Sequence, residues 1–98
     1  MDYKIYLSNL YDIYGKLLTE KQRQNFEEYY FHDLSLAELS ENYDVSRNAI
    51  HKSLKESIDK LQYFEDKLHI YQKNKELMEL MRKYPEMEKE LERIMEEG

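Results

Sequence analysis

Cysteine is missing from all 98 residues, so no disulfide or thiolate-bound metal can brace the fold. Only two glycines and one proline punctuate the chain. No stretch alternates β-branched with polar residues as a half-buried strand would. No apolar run approaches the roughly 20 residues of a membrane-spanning helix. The first residues also lack the charged start and apolar stretch of a signal peptide. These absences lead to an all-α protein, expected to be cytoplasmic and without membrane insertion.

The usual signatures of chemistry are missing too. There is no HExxH pair, no glycine-rich phosphate loop, no nucleophile elbow and no carboxylate pair in an apolar frame. The three histidines, His32, His51 and His69, are scattered. Glu65 and His69, four residues apart, are a candidate metal pair, but with no third ligand nearby they read as a solvated helix face. No catalytic residue, cofactor or metal is therefore predicted, and an enzyme is not expected.

The length suits one domain, or one small domain with an appendage. A core of that size is small, and association with a second copy is the common remaining supplement.

Charge is abundant and unevenly placed. The net charge of −6 argues against a nucleic-acid ligand on its face. Residues 1–18 hold two bases and two acids, residues 19–45 two bases and seven acids, and residues 62–98 seven bases and ten acids. Residues 46–61 alone are positive, with Arg47, Lys52, Lys55 and Lys60 against Glu56 and Asp59.

That positive segment belongs to a recognisable layout. The stretch LSLAELSENYDVSRNAIHKSL, Leu34 to Leu54, contains two helix starts. Ser35 followed by Glu38 forms a capping box, and Ser46 is an N-cap after the bridge Tyr43-Asp44-Val45. Leu36, Leu39, Tyr43, Val45, Ile50 and Leu54 supply a shared apolar core. Ser40 and Ala49 are expected where the two helices approach closely. Asp44 stands where such motifs often carry glycine, a backbone shape that aspartate tolerates. This is a helix-turn-helix, which presents its second helix to a nucleic-acid groove. Ser46, Arg47, Asn48, His51, Lys52 and Lys55 are the candidate nucleic-acid-binding residues, being donors suited to phosphates and base edges.

Around the motif the pattern is helical throughout. A first helix is expected from about Tyr3 to Tyr14, ending near Gly15, with Tyr3, Leu7, Leu10, Tyr14 and Leu17 striped at seven-residue spacing. Thr19 with Gln22 opens a second helix to about Phe31, and His32-Asp33 breaks it. From Ser46 the apolar spacing continues through Ile58, Leu61, Phe64, Leu68 and Tyr71, so the helix is expected to run on to Tyr71. Its distal half needs a partner: the first helix, or a second copy. A homodimer is predicted on this ground. Gln72 to Lys75 reads as a kink or loop. A last helix follows up to Tyr84, with Pro85 at the first position of another short one and a charged end that frays. The ten tyrosines are mostly placed on apolar stripes, as core and interface rather than as stacking platforms for bases. Residues 1–72 are thus expected to form the helix-turn-helix domain and 73–98 a charged helical extension.

Two family resemblances follow from these residues. The segment YDVSRNAIHKSLKESIDKL resembles the promoter-reading region 4 of bacterial sigma factors, without a wing. Asn48 and Ala49 stand where those recognition helices carry charges. A second resemblance covers about residues 3–71: the tyrosine-rich start, the LLTEKQ turn, the pair Tyr29-Tyr30 and the run FEDKLHIY ending at Tyr71 are together similar to the YlxM family of small bacterial proteins. That resemblance implies a sigma-region-4-like regulatory or accessory protein of the signal recognition particle pathway. It implies two kinds of partner. One is nucleic acid, either DNA or the particle's RNA, held by the helix from Ser46. The alternative is the signal recognition particle GTPase, engaged without nucleic acid by the acidic face of Glu20, Glu27, Glu28, Glu38 and Glu41.

Overall fold

The computed structural model describes residues 2–97, and every regular element among them is helical. Helix α1 spans Tyr3–Tyr14, and the Asp2 carboxylate caps it by accepting from the Lys4 N–H at 2.9 Å. A short 3-10 turn, Gly15–Leu17, ends it. Gly15 is required by close approach: a Cβ there would sit 3.0 Å from the Tyr11 ring. That ring cannot easily retreat, being stacked on Phe26 at 4.7 Å and 9°. Helix α2, Glu20–Tyr30, opens with the expected capping box between Thr19 and Gln22. It gives way to the break at His32-Asp33, where Asp33 takes a positive φ of 57°.

Helix α3 spans Leu36–Tyr43 and helix α4 Arg47–Leu68. Helix α4 is the spine of the molecule, since α1, α2 and α3 all pack against it. Its buried positions Ile50, Leu54, Ser57, Leu61 and Glu65 recur at three and four residues, which is one continuous helix face. The upper part of that face, Ile50 and Leu54, shares a core with Leu39. The lower part delivers Leu61 to Leu7, Leu10, Tyr14, Leu18 and Phe26. Complete burial of each such side chain contributes about 1.5–3 kcal/mol. Leu7, Leu10 and Tyr14 of α1 and Leu61 of α4 thus cover each other within one chain and need no second copy, while Tyr3 and Leu17 at the ends of the first stripe stay exposed. Of the distal stripe only Leu68 is left well exposed; Phe64 and Tyr71 pack against the lower core.

Where α2 meets α4 the side chains are small and polar. Asn25 is fully buried and its Nδ2 donates to Ser53 Oγ at 3.2 Å, while buried Ser57 donates to the Ser53 carbonyl at 3.0 Å. Of the two small residues expected at a close approach, Ser40 is half-buried and hydrogen-bonds the Ala37 carbonyl, but Ala49 is exposed. Small residues thus also meet lower on the long helix, where Asn25 of α2 contacts Ser53 of α4.

The long helix stops at Leu68 rather than Tyr71. His69 takes left-handed geometry, φ 56° and ψ 28°, and helix α5 restarts at once over Ile70–Lys83. The cause is Glu65. Its Oε1 accepts from the Tyr71 N–H at 3.0 Å and its Oε2 from the Gln72 N–H at 3.2 Å, so the carboxylate caps α5 from the turn below. Tyr14 reinforces the junction, accepting from the Ile70 N–H at 3.2 Å. Glu65 is consequently buried, not part of a solvated face, and His69 lies at the corner rather than one turn along the same helix. Residues Gln72 to Lys75 are helical instead of a loop, and the expected division after residue 72 falls inside α5.

A 3-10 turn over Pro85–Met87 begins with the proline at its first position, as its missing N–H favours. Helix α6, Glu88–Glu97, then packs back on α5. Leu91 is buried there, but Met78, Leu80, Tyr84, Met87 and Ile94 remain exposed. The described part measures 53 × 24 × 22 Å. Of the tail expected to fray, Gly98 lies outside the described residues.

Candidate nucleic-acid interface

The two helices of the motif are joined as their sequence dictates. Ser35 Oγ accepts from the Glu38 N–H at 3.0 Å and Glu38 Oε1 from the Ser35 N–H at 3.1 Å, which closes the capping box of α3. Asp44 ends α3 in the left-handed region, φ 53° and ψ 48°, taking the place of a glycine. The Val45 N–H returns to the Ser40 carbonyl at 3.0 Å, and Ser46 Oγ accepts from the Ala49 N–H at 3.0 Å to start α4. Beneath the turn, Leu39, Ile50 and Leu54 are buried, with Leu34, Leu36, Tyr43 and Val45 packed around them. Tyr43 is also tied to α2 by a short hydrogen bond donated to Glu28 Oε1. That bond, with partial burial, pushes the Tyr43 hydroxyl up to about 12. The outer helix is thereby locked to the body of the protein.

All six candidate residues emerge on this frame as exposed side chains of the first turns of α4. At about 1.5 Å per residue, Ser46 to Lys55 covers about 13 Å of helix. Arg47, His51 and Lys55 follow one another at four-residue spacing, and Asn48 and Lys52 lie beside them. Ser46 has a structural task as the cap, so its hydroxyl is only partly available. Lys55 is paired with Asp59 one turn on, Nζ to Oδ2 3.2 Å, both side chains largely in water. Such a pair is weak and exchanges readily for a phosphate. Arg47 and Lys52 carry no such partner among the described residues, which leaves two full cations at the tip.

Beside this face lies a cleft that the sequence reading did not identify. It has a volume of about 410 Å³ and is enclosed by Tyr3 of α1, Tyr29 and Tyr30 of α2, and His51, Lys55 and Ile58 of α4. The pair Tyr29-Tyr30 was the visible signal, but apolar periodicity assigned both to the core. Tyr30 does pack on Phe26 at 4.6 Å, and burial raises its hydroxyl pKa. Both rings nonetheless remain half-exposed toward the cleft.

Sequence comparison agrees with this geometry. The family model described as "Putative helix-turn-helix protein, YlxM / p13 like" matches residues 1–97. A UPF0122 protein of Caldanaerobacter subterraneus is 44% identical over 82 residues, 84% of this chain and 70% of the relative. One from Bacillus thuringiensis is 41% identical over 91 residues, 93% of this chain and 83% of the relative. One from Malacoplasma penetrans is 56% identical over 62 residues, 63% of this chain and 58% of the relative. With the two capped helices, the left-handed turn at Asp44 and a match across nearly every residue, the chain belongs to the UPF0122 family of YlxM/p13-like helix-turn-helix proteins.

Proposed function

We propose that the protein is a nucleic-acid-binding accessory factor that reads its ligand with the N-terminal half of α4. One observation carries the reading: the single positive segment of an acidic chain coincides with the exposed face of the second helix of the motif. In this reading Arg47 and Lys52 contact phosphates, Asn48 and His51 reach base edges, and Lys55 leaves Asp59 to add electrostatic grip. The YlxM resemblance supports placing that activity in the signal recognition particle pathway, with the particle's RNA or duplex DNA as ligand. The residues fit a binding protein, not a catalyst. A mobility-shift comparison tests the proposal. The double substitution Arg47→Ala, Lys52→Ala is expected to abolish retention of duplex DNA or of the particle's RNA, and undiminished binding to both would remove the reading.

The net charge favours a second reading, in which the acidic side docks on the particle's GTPase. Two of its five acids are already engaged within the fold, Glu28 by Tyr43 and Glu38 by the Ser35 cap. Glu20 and Glu41 are exposed and are the stronger contributors. Pull-down with the GTPase separates the readings: binding that needs no RNA and survives the Arg47/Lys52 change supports docking, and binding only through RNA excludes it.

The homodimer belongs to this proposal as well, with its contact on the exposed apolar residues of α5 and α6 instead of on α1 and α4. A monomer mass by sedimentation at micromolar concentration would remove it.

A further inference from the structure

We propose that the tyrosine-walled cleft beside α4 is a pocket for one unpaired nucleobase. The inference rests on the nucleic-acid reading above and adds a second mode to it. Three observations point there. The cleft shares His51 and Lys55 with the exposed reading face, so a strand lying along that face passes the cleft mouth. Its volume of about 410 Å³ lies within the roughly 300–1,000 Å³ that small organic ligands occupy. That is room for a single nucleotide and none for a duplex. Its lining suits a base in kind: apolar Leu54 and Ile58, phenol rings, and the exposed His51, Lys55 and Asp59 as its charged or polar members.

The rings are held, not free. Tyr29 and Tyr30 meet edge to face, 5.0 Å apart and at 83°, and Tyr30 is anchored on Phe26. Two rings at right angles form a corner, in which a planar base lies on one ring and meets the edge of the other. Tyr3, at 61% exposure, lines the cleft from α1. Lys55 then neutralises the phosphate of the inserted nucleotide, and Asp59, freed from it, accepts from an amino or imino group on the base edge. A lipid chain or an apolar peptide would gain nothing from His51, Lys55 and Asp59. A base with its phosphate uses all three.

The test is fluorescence anisotropy with labelled oligouridylate, oligodeoxyuridylate and a blunt DNA duplex, on the full chain. Tyr3→Ala and Tyr29→Ala are expected to weaken single-strand binding about fivefold or more, the lower end of what stacking on one aromatic contributes. Tyr29→Phe should retain it, and duplex binding should be unchanged in all three. Equal binding of the two single strands assigns the site to the base alone, and preference for the RNA adds the 2′-hydroxyl to the pocket. In the wild-type protein, ring-proton shifts of Tyr3, Tyr29 and Tyr30 on adding oligouridylate should appear, which keeps the test independent of whether a variant folds. Duplex binding without single-strand binding, or single-strand binding without those shifts, would overturn the cleft and leave the reading of α4 intact. Failure to bind any of the three would overturn both.

Discussion

The Tyr14 hydroxyl on α1 donates to Glu65 Oε1 on α4 at 2.6 Å, while the same carboxylate caps α5. One buried pair thus ties three helices together. The arrangement is economical: Glu65 is deprived of water but accepts three hydrogen bonds, so its burial is compensated.

Removing either partner should therefore unsettle the α4–α5 corner specifically. Tyr14→Phe and Glu65→Gln are each expected to cost about 1.5–3 kcal/mol, the range for hydrogen bonds to a charged group. Urea unfolding gives the magnitude. Hydrogen exchange gives the location: the amides of Tyr71 and Gln72 should lose protection in Glu65→Gln before those of α1 or α2 do.

Alkaline titration reports the same pair. Burial and the hydrogen bond to Glu65 push the Tyr14 hydroxyl up to about 12, and the bond to Glu28 does the same for Tyr43. Both values lie above the 10.0 of an exposed phenol, so the folded state holds these protons longer than the unfolded one. Their contribution to stability is complete below pH 10 and is lost as the pH rises through 10 toward 12. Absorbance of phenolate should accordingly show at least two late tyrosines, and Tyr14→Phe together with Tyr43→Phe should remove the two latest while Tyr11 and Tyr30, raised less far, remain. A titration in which all tyrosines ionise together near 10 would contradict the assignment.

The intramolecular cover of α4 separates two neighbouring leucines. Leu61 is completely buried between α1 and α2, whereas Leu68 is 46% exposed. Leu61→Ala should lose about 2–5 kcal/mol, and Leu68→Ala under about 1 kcal/mol. The loss at Leu61 should be the same at low and high protein concentration, because the surface that covers it belongs to the same chain.

Salt dependence counts the cations at the proposed reading face. If Arg47, Lys52 and Lys55 each neutralise one phosphate, the log–log slope of affinity against salt should be about −3 on duplex DNA. Lys52→Ala should reduce it by about one, with thermal stability essentially unchanged because the side chain is exposed. An unaltered slope would place the phosphates elsewhere.

What sequence alone determined is local. The caps at Thr19, Ser35 and Ser46 act through atoms three residues away, so the starts of α2 to α4 could be read directly from residue order. Asp44 in the turn and Pro85 opening a helix are of the same kind. The exposure of the six candidate residues is legible for a related reason, since the cap Ser46 and the polar residues of the first turns of α4 fall outside its buried stripe. Tertiary structure decided whatever depended on partners far along the chain. Glu65 looked like surface because nothing near it in sequence announces Tyr14, 51 residues away. Its capture of the Tyr71 and Gln72 amides is why the helix ends at Leu68, although apolar spacing carries on past it. The cleft has the same origin: Tyr3 and Tyr29 lie on stripes that read as core and His51 on the outward face of α4, and only the packing of three helices brings them around one gap.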